Sequence, residues 1–376
     1  MLFLLVLLGN AGAPPPVAAG PSTRLTALAG GDVVEDAADP LRWYGALADA
    51  GRLLYLTAGD DRAAAPGTWR VTRETAAVFA GGGSAGRSLH AGLAVFHDRP
   101  DRSLQGLLGG RVGGVDLVLS AAWRDRDAAL PAADVGRAAW EARDAVVGVG
   151  ARWAPAPSCY VDLAADADLY RRRLAPAGGG ETVTATGTAW TGLRGRLFVA
   201  LAPRRVLSVA AAWEGAARPD RVADPDGVYR RVADRYDLRL ALLLLPDPDT
   251  LWHVTLGCRR DREQLRDPGL APGPAGGRRL DAWLLRAGGE RRLSPWCVVR
   301  GGATVAVADP GGDLPGTPQA AFVRWDATVG AALVLGEVVL DVAVGDDLPA
   351  LPRAGAGRFH PSDRRLWTGV TLSASF

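Results

Sequence analysis

RLWTGVTLSASF, residues 365–376, alternates strictly between two kinds of side chain. One set is mostly apolar, and it comprises Leu366, Thr368, Val370, Leu372, Ala374 and Phe376. The other set is mostly small or polar, and it comprises Trp367, Gly369, Thr371, Ser373 and Ser375. Because successive side chains of a β-strand point to opposite faces, the stretch predicts a strand with one apolar face. That face packs against a core in a soluble sandwich or against lipid in a transmembrane barrel, so the rest of the chain must decide.

The same alternation recurs along the chain. It is found in residues 115–124, 145–153, 159–170, 207–214, 236–242, 252–259, 324–333 and 338–344. Charges fall on the less apolar face at mid-strand, and a charge facing lipid at the membrane midplane costs about 2–4 kcal/mol. A barrel therefore keeps them inside, and the pattern predicts a set of lumen-facing side chains: Arg152, Asp162, Asp166, Arg194, Asp237, Arg239, His253, Arg324 and Asp326.

Short and long connections alternate between these strands. The predicted short turns lie at residues 155–157, 202–205, 246–249, 288–291 and 336–337. Long connections rich in Pro, Gly and Asp lie at residues 125–143, 172–180, 215–232, 262–277, 309–318 and 345–363. Segregation of short turns from long loops is typical of outer-membrane barrels. The predicted fold is all-β, a transmembrane antiparallel up-and-down barrel of about fourteen strands over residues 52–376, with the weakest patterns at 52–59, 87–96 and 279–286.

Composition agrees with this fold class. The 376 residues show no linker that would divide them, and a net charge of +2 argues against nucleic acid as a partner. No apolar run approaches the roughly 20 residues of a membrane helix. Seven of the twelve Trp fall near predicted strand ends, as an interfacial girdle requires: Trp123, Trp153, Trp190, Trp213, Trp252, Trp325 and Trp367.

The first residues predict export. Met1 to Leu8 are almost wholly apolar, and Ala11-Gly12-Ala13 offers a small-x-small cleavage site. Residues 1–19 are therefore interpreted as a signal peptide, although a basic start is missing and a buried strand is the alternative. With a barrel to follow, the expected location is the outer membrane of a Gram-negative bacterium.

Two features resemble a known family. A last strand that ends in Phe376 resembles the closing strand of bacterial outer-membrane barrels, where this terminus is read by the barrel-assembly machinery. Residues 30–48, GGDVVEDAADPLRWYGALA, resemble the plug motif of the FadL/PorV-like fourteen-stranded barrels. The acids and alanine of that motif match Glu35-Asp36-Ala37, and its end matches Trp43, Ala46 and Leu47, whereas Tyr44-Gly45 replaces the family's Asn-Pro.

The resemblance implies that residues 20–51 form a helical or irregular plug inside the barrel, with a periplasmic tail as the alternative. The residues it makes candidates for plugging and gating are Glu35, Asp36, Asp39, Arg42 and Trp43.

The predicted function is passive transport of small solutes through a plugged lumen, and the resemblance alone adds that they are hydrophobic. Interleaved Arg and Asp argue against a strongly ion-selective pore. The alternative is a non-conducting structural or secretion-accessory barrel whose long loops bind a partner protein. The expected partners are outer-membrane lipid, the assembly machinery through Phe376, and a small-molecule solute. A soluble β-protein remains a further alternative.

No catalytic residue, metal site or cofactor is predicted. Residues 82–86, GGSAG, satisfy G-x-S-x-G but sit in a glycine run, which predicts a flexible loop rather than a strand–turn–helix elbow. His90 and His253 would be needed for a barrel enzyme, yet nothing in the sequence assembles a nucleophile beside them. Cys159, Cys258 and Cys297 contain no C-x-x-C pair and are predicted to face lipid as small hydrophobes.

Overall fold

The computed structural model describes Arg24, Leu28 and ten continuous segments. These segments are residues 33–60, 73–84, 87–98, 101–129, 139–175, 183–220, 229–266, 274–312, 321–352 and 365–376. The predicted signal peptide lies outside the described residues. Among the described residues, no helix is long and apolar enough to cross a membrane.

The described residues form sixteen strands in one closed antiparallel sheet. The strands are β1 Leu53–Asp60, β2 Arg73–Ser84, β3 Arg87–Asp98, β4 Asp101–Val112, β5 Val115–Ala129, β6 Ala139–Ala156, β7 Cys159–Ala175, β8 Val183–Ala202, β9 Arg205–Asp220, β10 Tyr229–Asp247, β11 Thr250–Arg266, β12 Pro274–Ser294, β13 Cys297–Gly312, β14 Phe322–Leu335, β15 Val338–Pro352 and β16 Arg365–Ser375. Each strand pairs with its neighbours in the chain, and β1 pairs with β16 to close the barrel. The predicted fold class is confirmed.

The predicted count of about fourteen strands is too low by two, because β2 and β4 were not predicted. β2 ends in a run of three glycines, Gly81 to Gly83, which have no side chains to show alternation. β4 places leucines on both faces, at Leu107 and Leu108, and interrupts the period with glycine. The first three residues of the G-x-S-x-G stretch, Gly82 to Ser84, thus belong to the end of β2 rather than to a loop, and its last two lie outside the described residues. The three weakest predicted strands are confirmed as β1, β3 and β12.

The connections alternate in length as predicted, with one displaced turn and one exception. Two-residue connections follow every even-numbered strand up to β14, and those after odd-numbered strands are longer apart from residues 99–100. The predicted turn at residues 288–291 is wrong, because these residues continue β12 to a turn at Pro295-Trp296. Gly288 and Gly289 serve close packing instead, since an added Cβ would overlap the Leu28 carbonyl or the Trp252 ring.

The barrel is apolar outside. Leucine, valine and tryptophan side chains are exposed on the outer face of nearly every strand, among them Leu119, Leu163, Leu193, Leu240, Leu256 and Val329. Trp123, Trp153, Trp252 and Trp325 are exposed on this face, while the side chains of Trp190 and Trp367 lie outside the described residues. Because only closed barrels and helices satisfy every backbone polar group in lipid, an apolar closed sheet of this kind is a transmembrane barrel.

The ladder between β8 and β9 ends well before either strand does. β8 and β9 pair from the turn up to Leu193 opposite Trp213, but β8 continues to Val183 and β9 to Asp220 without further pairing between them. A β-bulge at Thr191, where β8 pairs with β7, marks the point of divergence, and bulges bend a strand. We call the unpaired ends, residues 183–192 of β8 and 214–220 of β9, the seam.

The outward face of β10 allows a test of the membrane boundary. Leu242→Arg places a charge near the middle of the apolar band, so it should destabilise the barrel by about 2–4 kcal/mol, whereas Tyr236→Arg near the band's outer edge should cost about 1 kcal/mol or less. Urea unfolding in lipid vesicles measures both. Equal costs would contradict the assigned boundary.

Candidate functional site

Residues 33–50 lie inside the barrel and are called the lumenal segment. Two short 3-10 helices, Asp39–Leu41 and Tyr44–Ala48, make up much of it. The second helix lies against β3, β4, β5, β6 and β7. Nearly every residue from Val33 to Leu47 is buried, and the four charged side chains among them must find partners in the lumen.

The segment is anchored by apolar contacts on two sides. Ala38, Leu41, Tyr44 and Leu47 belong to a buried cluster with inward-facing residues of β1 to β5 and β7: Leu53, Tyr55, Ala77, Phe79, Ala94, Phe96, Leu107, Val118 and Ala164. Leu28, Val33 and Val34 belong to a second cluster, with Phe198, Val206, Ala210, Ala241, Leu243, Leu245 and Leu251. The lumen wall is therefore apolar on both sides of a central polar zone.

Glycine lets the segment approach the wall. A Cβ on Gly45 would lie 2.5 Å from the backbone of Ala151 and Arg152 on β6. Gly148 and Gly150 face the Tyr44 side chain, whose atoms would lie 2.6 Å from an added Cβ on either. The Tyr44-Gly45 pair, which departs from the family motif, thus fits a glycine-lined depression in β6.

Between the apolar clusters lies an arginine–carboxylate cluster. On the wall, Asp162 of β7 accepts two hydrogen bonds from Arg152 at 2.6 and 2.7 Å and one from Arg196 at 2.8 Å. Arg196 also donates to Asp39 of the lumenal segment at 2.5 Å. Bidentate arginine–carboxylate contacts of this kind are strong and geometrically specific.

The same cluster holds the segment at two further carboxylates. Arg152 pairs with Asp49 and lies 3.5 Å from Glu35, which also accepts a hydrogen bond from the Tyr160 hydroxyl. The Arg196 guanidinium lies 4.7 Å from the Trp43 ring centroid, within cation–π range. Removing one partner here would leave a buried charge uncompensated, at a cost of about 3–5 kcal/mol.

A third polar contact lies beside this cluster. The Tyr44 hydroxyl donates to Asp166 of β7 at 2.5 Å, and Arg194 of β8 lies 2.6 Å from the same carboxylate. Arg194 also donates to the Arg42 carbonyl at 3.1 Å. Both wall side chains are fully buried, so their charges depend on one another and on the segment.

The chain before the segment is attached to the opposite wall. Arg24 donates to Glu290 of β12 at 2.8 and 3.0 Å and to the Glu35 carbonyl at 3.0 Å. His253 of β11 donates from Nε2 to the Leu28 carbonyl at 2.8 Å. Contacts with β6 to β8 on one side and β11 to β12 on the other therefore span the lumen.

Burial shifts the acidity of the segment. Loss of water raises the pKa of Glu35 to about 7, against the opposing pull of Arg152, and raises the pKa of Asp36 to about 7. Burial likewise raises the pKa of Asp39 to about 6, with Arg196 opposing. Asp36 is the least compensated, because its Oδ1 accepts from the neighbouring Ala37 N–H while its Oδ2 has no hydrogen-bond partner among the described residues.

The structure places the sequence-derived candidates in two groups. Glu35, Asp39 and Trp43 meet Arg152, Asp162 and Arg196, and the Arg42 carbonyl and Tyr44 meet Arg194 and Asp166. Other candidates pair along their own strands: Asp237 with Arg239 at 2.6 Å on β10, and Arg324 with Asp326 at 3.0 Å on β14.

Sequence reasoning missed Arg196, Tyr160 and Glu290. The alternation already places Tyr160 on the face of Asp162, and Arg196 lies two residues from the predicted lumen residue Arg194, so strict use of the period would have named both. Glu290 was missed because it falls in the predicted turn at residues 288–291, whereas β12 continues to Ser294. The apolar lumen residues had no such signal, since the alternation analysis expects a polar interior.

A cavity of about 1050 Å³ lies at the base of the seam. Its lining includes Arg194, Asp237 and Arg259 together with Leu193, Trp213 and Leu238. Leu193 and Leu238 belong to the exposed outer face, whereas Arg194 is buried inside. The cavity is therefore lined from both sides of the sheet, and it reaches the arginine that contacts the lumenal segment.

The described residues contain no group of three or more His, Cys, Asp or Glu side chains placed to hold a metal ion. His90 is buried on β3, where its Nδ1 lies close to Gly81. The three cysteines are free and half-buried.

Comparison with known proteins shows the fold without showing a family. No family model matches the chain, and no curated protein matches it. A FadL homologue of Pseudomonas aeruginosa is 12% identical with a TM-score of 0.52, over 97% of this chain and 99% of that one. CdiB from Escherichia coli is 11% identical with a TM-score of 0.50, over 85% of this chain and 62% of that one. The toluene transporter TodX of Pseudomonas putida is 10% identical with a TM-score of 0.48, over 98% of this chain and 100% of that one.

The chain is thus an outer-membrane β-barrel whose lumen holds its own N-terminal segment. The closed apolar sheet, with short turns at one rim, defines this class and its location in the outer membrane of a Gram-negative bacterium.

The close approach of Gly45 to the backbone of β6 predicts the effect of adding one methyl group at this position. Gly45→Ala should displace the lumenal segment, because its Cβ meets backbone that cannot move aside, and overpacking of this kind costs about 1–3 kcal/mol. A thiol at Ala46→Cys, in a background with the native cysteines replaced by serine, should then react with maleimide about tenfold faster or more. Gly106→Ala on β4 is the matched control, since its Cβ meets nothing closer than 3.9 Å, and it should leave the rate unchanged.

The raised pKa values predict that alkaline pH releases the segment. A buried carboxyl with a raised pKa favours the docked state at pH values below its exposed pKa, near 4, and this contribution is lost as the pH rises through about 7. Opening events in a planar bilayer should therefore be more frequent at pH 8 than at pH 5. Asp36→Asn, which cannot ionise, should weaken this dependence and keep openings rare at pH 8; an unaltered pH profile would contradict the assignment.

Proposed function

We propose that the chain is a gated transport barrel, in which the lumenal segment is a plug and small apolar solutes pass when the plug moves. The observation that carries the proposal is the mode of attachment. A sixteen-stranded barrel has the strand number of open porins, so its lumen is wider than its own wall side chains fill. The segment occupies this space through charged contacts and fitted glycines.

Passage of apolar solutes is supported by the lining of the lumen and of the seam cavity. The two apolar clusters continue on the wall on both sides of the plug. The seam cavity is lined by outward-facing Leu193 and Leu238 and also by Arg194, which contacts the plug. Ligand sites are commonly such apolar cavities with a few placed polar groups. The resemblance of residues 30–48 to the FadL/PorV-like plug agrees with this class of solute.

Gating is supported by the chemistry of the plug contacts. The polar zone contains Glu35, Asp36, Asp39, Arg42 and Trp43. Breaking one ion pair there leaves a buried charge without a partner and is costly, whereas movement of the whole segment lets all of the charges exchange their protein partners for water at once. Movement of the plug would expose Arg152, Arg194 and Arg196 to the lumen, and would open a path between the two ends of the barrel.

Conductance tests the proposal. The refolded protein should be nearly silent in a planar bilayer, and deletion of residues 25–51 should produce stable conductance steps. Gly106→Ala, a wall variant that leaves the plug contacts intact, should stay as silent as the parent protein. Silence of both parent and deletion, with insertion verified, would contradict transport and favour the non-conducting, partner-binding barrel.

The solute class is tested by fluorescence. Bromotoluene carries a heavy atom that quenches nearby tryptophan, so it should quench saturably through Trp213 and Trp283 at the seam cavity. Leu193→Asn should weaken this binding about fivefold or more, because it places an amide in an apolar lining. Leu201→Asn, on the same strand and equally exposed, is the control. Non-saturable quenching that is equal in all three proteins would remove apolar solutes from the proposal.

A further inference from the structure

Arg196 on the lumen wall receives two different groups from the lumenal segment. The Asp39 carboxylate accepts a hydrogen bond from Arg196 Nη2 at 2.5 Å, and the Trp43 ring centroid lies 4.7 Å from the guanidinium carbon. All three side chains are buried. A guanidinium suits both contacts, because its edge binds carboxylates and its face packs on aromatic rings. The segment therefore presents to Arg196 the two halves of an aromatic carboxylic acid.

The wall itself fixes Arg196 and a second arginine beside it. Arg196 and Arg152 both donate to Asp162. The Arg152 guanidinium lies 4.6 Å from the Tyr160 ring centroid, and that of Arg196 lies 5.2 Å from the Phe198 ring centroid. These two rings stack on each other with their centroids 4.8 Å apart. Ion pairs and ring contacts within the wall thus hold both guanidinium groups without help from the segment.

This part of the wall carries a positive charge that the segment neutralises. Arg152 and Arg196 share the single carboxylate of Asp162, so one positive charge remains. Their other edges donate to the segment, from Arg152 Nη1 to Asp49 and from Arg196 Nη2 to Asp39. Arg196 Nη1 has no hydrogen-bond partner among the described residues even with the segment in place. When the segment moves, an anion is favoured in place of its carboxylates, because an uncompensated charge inside a protein is costly.

We propose that the wall site at Arg196 binds a soluble aromatic carboxylic acid, which competes with the lumenal segment and so favours the open barrel. The carboxylate of the acid takes the place of Asp39, and its ring takes the place of Trp43. This inference rests on the proposed function, because the acid can reach Arg196 only when the plug moves. A ligand that binds one of two states shifts the population towards that state.

Both parts of the ligand are required by the site. Decanoate supplies a carboxylate but no ring to lie on the guanidinium face, where a cation–π contact is strongest when water is excluded. The neutral arene 3-methylindole supplies the ring but leaves the positive charge without an anion. Indole-3-acetate joins an indole ring to a carboxymethyl group, which are the side-chain groups of Trp43 and Asp39, and it is therefore the probe.

Calorimetric titration of indole-3-acetate into the full-length protein in nanodiscs tests the site. Gly45→Ala displaces the segment without touching Arg196, so it should tighten binding about tenfold relative to the parent protein, because the site is free for a larger fraction of the time. Decanoate and 3-methylindole should each bind this variant about tenfold more weakly than the acid does.

Substitutions of wall arginines locate the binding. In the Gly45→Ala protein, Arg196→Met should abolish binding of indole-3-acetate. Arg239→Met on β10 is the matched control, since Arg239 pairs with Asp237 on its own strand, and it should leave the affinity unchanged. If Gly45→Ala fails to fold, Asp39→Asn replaces it, because loss of the competing carboxylate should also tighten binding.

Labelling and conductance separate this inference from the proposed function. Saturating indole-3-acetate should raise the maleimide reactivity of Ala46→Cys about tenfold, and it should raise the conductance of the parent protein. Faster labelling without conductance would keep the ligand site and contradict transport. Conductance steps on deletion of residues 25–51, with no binding of the acid to the Gly45→Ala protein at millimolar concentration, would overturn the ligand site alone. Equal binding of decanoate, or binding that survives Arg196→Met, would overturn it as well.

Discussion

The rest of the structure depends on the absence of water inside a lipid bilayer. Every backbone N–H and C=O at membrane depth must find a partner within the protein, and a sheet achieves this only by closing on itself. Sixteen antiparallel strands do so here, with β1 paired to β16. The ladder between β8 and β9 ends early on both strands, beyond the roughly ten residues that a membrane crossing needs.

Closure creates a second requirement, because the enclosed space is wider than the wall can fill. The N-terminal segment occupies part of it, and the wall is shaped for this purpose: glycines on β6 admit Tyr44 and Gly45, while Arg152 and Arg196 share Asp162 and reach the segment's carboxylates. A buried ion network is weak as a source of stability but strongly resists the loss of one partner. Such a network agrees with the proposed plug, which would stay in place and leave only as a unit.

Alternation in the sequence was sufficient to predict the barrel and the segregation of its connections, because lipid imposes a strict rule on every outward residue. It could not predict β2 and β4, where glycine runs and adjacent leucines hide the period. It also could not assign partners: Asp39 meets Arg196 rather than a predicted arginine, and Glu290 meets Arg24. Pairing across the lumen depends on strand register and on the path of the segment, and neither is encoded in a local period.

The central claim is that charges on the wall and on the lumenal segment hold each other. A double-mutant cycle of Asp39→Asn and Arg196→Met measures this directly, with docking read from the maleimide reactivity of Ala46→Cys. A contact at 2.5 Å between buried groups predicts that the effects of the two substitutions are non-additive by about 1–3 kcal/mol. Additive effects, with a coupling energy near zero, would contradict the account.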